Sequence, residues 1–153
     1  MYKRQDILQA INETNPTIVH FSGHGTADGD LVLLNPDGSA KLVSKEAISM
    51  AMATASDTIR LVVFNACFSE PQAESVVEHI DSAIGMSTSI GDEAACVFAS
   101  QLYSSIGFGR SLQTSFNQAL AQLMLEGIPE DSTPRLYVKD SMDANDITLV
   151  QPK

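Results

Sequence analysis

Two residues 43 positions apart, His24 and Cys67, have side chains that together can do covalent chemistry. A thiol with a pKa of ~8.5 is mostly protonated at neutral pH. A nearby imidazole can take that proton and later hand one to a leaving amine. His24 lies between two glycines in Ser22-Gly23-His24-Gly25. Glycines at these positions let the chain turn tightly and let a substrate come close to the backbone. The N–H groups of Gly25 and Cys67 are candidate oxyanion donors, and one such donor is worth ~3 kcal/mol. Taken singly, each residue has an ordinary explanation. A cysteine after an apolar strand is often a small core residue, and a histidine among glycines often just occupies a turn. The pair gains meaning only if neighbouring elements deliver both to one place.

The elements that must do this alternate in type, which predicts an α/β fold with a mostly parallel sheet flanked by helices. An amphipathic helix is expected over residues 5–12, broken by Asn15-Pro16. A β-branched and aromatic strand over 17–21 leads into the His24 loop. Asp30–Leu34 and Lys41–Val43, joined by Asn35-Pro36-Asp37-Gly38, read as a small hairpin. Ser44 is the expected N-cap of a helix over 45–55. The run Ile59–Phe64 is almost continuously apolar, as a central parallel strand buried on both faces would be. It ends at Asn65-Ala66-Cys67. Ser69-Glu70-Pro71-Gln72 has the pattern of a capping box opening a helix to about Glu78. A strand is expected at 82–86, then helices at 92–106, capped by Asp92, and at 111–126. Residues 136–138 and 147–150 are expected as late strands. In a parallel sheet, sites form beyond the carboxyl ends of strands. His24 and Cys67 each stand just past such an end, with enough chain between them for a crossover.

Composition narrows the function classes. The chain has 153 residues, 44% of them hydrophobic, which suits one globular core. Nine basic residues against nineteen acidic ones give a formal net charge of −10. Such a surface repels nucleic-acid phosphates and anionic membranes, so direct binding to nucleic acid or membrane is not expected. Cys67 and Cys96 are the only cysteines and show no CxxC or Cys/His metal spacing. No metal or cofactor is expected, and a reducing compartment is the simpler setting. No apolar run reaches the ~18 residues of a membrane span. The N-terminal MYKRQDILQAINETNP lacks the apolar stretch of a signal peptide. A soluble cytoplasmic protein is expected.

Further residues have candidate roles at the site. Asp92, Asp28 and Met86 are possible substrate-binding residues. Asp92 would select a basic side chain, its ordinary role being the helix cap. Asp28 and Asp30 border the histidine loop. Met86 lies with Met50, Met52 and Met124 in apolar stretches that favour packing. Cys96, among Ala94, Ala95 and Val97, is expected in the core. His20 is expected to be packed within its strand, and His79 exposed. Ser22 and Asn65 are candidates for orienting the loops.

The strings IVHFSGHG, VVFNAC and IGMSTSIGDEAACVFASQLY together resemble the CHAT family of caspase-like cysteine peptidases, over about residues 5–125. The resemblance implies a caspase-like sheet, a bacterial setting and cysteine-peptidase chemistry. It places the general base at His24, the nucleophile at Cys67 and an oxyanion contribution at Gly25. It also implies a protein substrate, a fused or neighbouring sensor module, and a role in antiviral or cell-death responses. Two departures stand out. Asn65-Ala66-Cys67-Phe68-Ser69 lacks the Gln-Ala-Cys-x-Gly pattern of animal caspases, so aspartate specificity is not implied. Only five residues precede the segment matching Asp6, where family members carry a further strand–helix unit. A single CHAT domain over 1–153, incomplete at its N-terminus, is therefore expected. The rival expectation is a catalytically silent interaction or signalling domain.

Overall fold

The computed structural model describes residues 6–152. Its centre is β4 (Leu61–Asn65), every residue of which is buried. On one side β4 pairs in parallel with β1 (Ile18–Ser22), and on the other with β5 (Ser82–Met86). β6 (Pro134–Val138) adds antiparallel to β5, giving the sheet order β1-β4-β5-β6. β2 (Leu31–Leu34) and β3 (Ala40–Val43) form a separate antiparallel hairpin.

Because side chains alternate across a strand, β4 feeds two cores at once. Leu61 and Val63, with Ile84 and Met86 of β5, face α4 (Asp92–Gly107) and α5 (Leu112–Leu125), which contribute Phe98, Leu102, Phe116 and Leu123. Val62 and Phe64 face the opposite layer, built from α1 (Asp6–Thr14), α2 (Lys45–Ala53), α3 (Glu70–Val76) and the hairpin. This is an α/β fold with a mostly parallel, helix-flanked sheet, consistent with the caspase-like class. Among the described residues no helix is long and apolar enough to cross a membrane.

Several local expectations change. Gln5, the expected start of the first helix, lies outside the described residues. That helix runs on to Thr14 and stops where Asn15 turns left-handed, at φ 45°. The expected strand at 147–150 is absent. A 3-10 turn at Ala144–Asp146 precedes it, and its backbone is used elsewhere. The carbonyl of Ile147 accepts from Leu112 N–H, and that of Thr148 from the Arg60 guanidinium. Ile147 is apolar because it closes the α4–α5 core. Asp92 is the first residue of α4; the N-cap is Gly91, which has no side chain to cap with.

Candidate active site

The parallel register of β1 and β4 fixes the site. Ser22 is level with Asn65 at the carboxyl ends of the two strands. His24 lies two residues beyond the first and Cys67 two beyond the second. Both line one crevice of about 430 Å³, together with Ser22, Gly23, Asn65, Ile90, Asp92 and Cys96 among others. His24 is exposed and Cys67 half-buried.

The histidine loop lies directly on the cysteine's peptide. A Cβ added to Gly25 would stand 2.1 Å from the Cys67 carbonyl oxygen, so only glycine allows this approach. Gly25 also forms an isolated antiparallel bridge with Leu31. The bridge is closed by Thr26 N–H to Asp30 O and Val32 N–H to His24 O, each 3.0 Å. In this pairing the central residues keep their own N–H groups outside the bridge. Among the described residues neither Gly25 N–H nor Cys67 N–H has a backbone acceptor.

The sharp exit from β4 is held by Ser69. This residue is 1% exposed. Its hydroxyl lies 2.8 Å from Phe64 O and 2.7 Å from Ala66 O, and it accepts from Met86 N–H at 3.0 Å. The expected capping box therefore does not form: Ser69 makes no side-chain cap bond to α3. Gln72, the other half of that pattern, is fully buried and donates to Gly29 O in the histidine loop. Gly29, at φ 87°, is held in the left-handed region. Phe68 is also left-handed, at φ 55°, a conformation that costs an L-residue ~1–2 kcal/mol. Phe68 N–H is taken up by Thr88 O at 3.1 Å.

The β5–α4 connection touches the sulfur itself. Ile90 N–H points at Cys67 Sγ at 3.4 Å, and Ile90 O lies 3.7 Å from it. Asn65 ties β4 to α4 by donating to Ala95 O at 3.0 Å, and its Oδ1 is buried with no partner among the described residues.

A family model of the CHAT domain matches residues 2–138. The chain belongs to the CHAT family. Comparison with curated proteins found no match. CHAT domains are associated with caspase-like cysteine peptidases.

The remaining sequence expectations divide around the CHAT crevice. Asp92 lines it, exposed and free of the capping role. Asp28 is exposed on the histidine loop but does not line the crevice. Met86 is a correction: at 0% exposure it belongs to the core beneath α4 and touches no substrate space. Cys96 is the opposite correction, an exposed residue on the crevice rim, because α4 turns that face outward. Met52 is packed, whereas Met50 and Met124 are exposed. His79 is exposed. His20 is half-buried, with Nδ1 2.6 Å from Tyr103 OH. Burial pushes the His20 pKa down and the Tyr103 pKa up, so both groups stay neutral. Ser69 and Gln72 were missed as supports of the site. Their only sequence signal was a helix-start pattern, which the fold uses differently.

Proposed function

We propose that this CHAT domain is a cysteine endopeptidase acting on a protein partner. Cys67 Sγ attacks a peptide carbonyl while His24 takes the thiol proton. The oxyanion is held by the N–H groups of Gly25 and Cys67. His24 then protonates the leaving amine, and water hydrolyses the thioester, regenerating the thiol and releasing the carboxylate. The observation carrying this reading is the joint placement of His24 and Cys67 at equivalent positions past two adjacent parallel strands, on one crevice. Asp92 is the carboxylate on that crevice and favours a basic side chain in the substrate. The wider setting, a bacterial cytoplasmic defence or cell-death system with a fused or neighbouring sensor, rests on the family alone.

The test is covalent capture by peptidyl acyloxymethyl ketones carrying arginine, leucine or aspartate next to the warhead. Capture at Cys67 that disappears in Cys67→Ala and His24→Ala is expected, with the arginine probe fastest and Asp92→Asn erasing its lead. A Cys67 that no ketone modifies faster than it modifies free cysteine would leave a silent peptide-binding module in place of the enzyme. A leucine or aspartate preference would remove Asp92 from specificity while keeping the peptidase.

A further inference from the structure

The loop that touches the sulfur is itself held from outside the crevice. Its residues, 87–91, lie between β5 and α4. At the near end, Ser87 N–H and Oγ both reach Thr133 O, at 2.9 and 3.0 Å. At the far end, Gly91 N–H donates to Glu130 Oε1 at 2.8 Å. Both partners come from one turn between α5 and β6. That turn is tightened by Glu130 N–H to Ile128 O at 2.9 Å and Thr133 N–H to Glu130 O at 3.1 Å. Between these two anchors the loop meets the nucleophile's segment, through Thr88 O with Phe68 N–H and Ile90 N–H with Cys67 Sγ.

Glu130 is not among the residues that line the crevice. What it does is accept from the N–H of the α4 N-cap residue itself. Gly91 offers no side chain, and the helix's N-terminal amides favour a carboxylate. A charge-assisted bond to Gly91 N–H fixes the Ile90–Gly91 peptide plane, and so limits how the Ile90 backbone, whose N–H and carbonyl both meet the sulfur, can turn.

We propose that Glu130 is a positioning residue for the Cys67 thiol: through Gly91 it holds the Ile90 amide on the sulfur. This rests on reading Cys67 as the nucleophile, and its test needs no peptide turnover. The full chain and its Glu130→Ala and Glu130→Gln variants would be alkylated with iodoacetamide at neutral pH. The rates at Cys67 and Cys96 would be read separately by mass spectrometry, with melting temperature measured alongside. The exposed Cys96 serves as the internal reference. In Glu130→Ala the Cys67 rate is expected to fall about fivefold, the equivalent of one hydrogen bond, with Cys96 unchanged. Glu130→Gln keeps an acceptor oxygen and should recover most of the rate. If Glu130→Ala does not fold, Gly91→Pro deletes the donor instead, at a φ of −71° that already suits proline, with the Glu130 carboxylate swinging aside from the added ring, and the same loss is expected. A Cys67 rate that is unchanged or faster in Glu130→Ala, or in Gly91→Pro where that variant takes its place, or a glutamine variant as slow as the alanine one, overturns the proposal. Wild-type protein that is alkylated at Cys67 yet cleaves no peptide would sink the peptidase reading and leave this comparison intact.

Discussion

Gly25 shows how little room the site has. Its missing side chain is what lets the histidine loop rest on the Cys67 carbonyl, and the atom it would strike is backbone, which cannot swing aside. Gly25→Ala is therefore expected to push the loop off the cysteine. A destabilisation of roughly 1–3 kcal/mol is expected, measured by urea unfolding, with Cys67 capture falling further than stability alone explains. Wild-type capture in a stable Gly25→Ala protein would show that the contact is incidental. Ser69 carries a comparable constraint in the opposite form. One buried hydroxyl serves two carbonyls and one amide, and so it shapes the turn that presents the sulfur.

Among the elements, α4 does two jobs with its two ends. Its first turn lines the crevice through Asp92, Ala95 and Cys96. Further along, Phe98, Leu102 and Ile106 seal the sheet. Leu102→Ala removes a fully buried side chain from this seal and is expected to cost about 2–5 kcal/mol, read by chemical denaturation. Cys67 alkylation in the fraction that remains folded should stay near wild type, because the crevice end of the helix is anchored separately by Asn65 to Ala95 O and by Glu130 to Gly91. A folded Leu102→Ala protein with an unreactive Cys67 would mean that the two ends of α4 are not independent. α3 is likewise more than a spacer, since Gln72 reaches from it to the histidine loop.

For the whole molecule, the half-buried His20–Tyr103 pair links stability to pH. Burial lowers the His20 pKa below its ordinary 6.5. As pH falls below 6.5, the unfolded chain takes up a proton that the folded chain resists, so stability declines until the folded pKa is passed and is fully present above 6.5. Urea midpoints at pH 7 and pH 5 are expected to differ more in wild type than in His20→Gln. Equal differences in the two proteins would remove His20 from the acid response. The formal charge of −10 adds self-repulsion that salt screens.

Most strands and helices were legible in the sequence because they depend on local periodicity, although the strand expected at 147–150 and the cap expected at Asp92 did not form. The run Ile59–Phe64 fitted a doubly buried strand, which the fold places at Leu61–Asn65, and Ser44 does cap its helix, accepting from Ala47 N–H. The residue types at His24 and Cys67 named a chemistry before any geometry. That the two strands are neighbours was an expectation that local periodicity alone could not settle. That β1 pairs with β4 and brings the two residues onto one crevice depends on long-range pairing, which no window of sequence contains. The same limit explains the misreadings. Cys96 and Met86 sit in equally apolar stretches, yet one faces solvent and the other the core, because the packing of α4 against the sheet sets direction. Ser69 and Gln72 have the spacing of a cap, but each found a stronger partner far along the chain. Composition and periodicity determined what elements this chain makes; only the closing of those elements on one another decided which side chains meet.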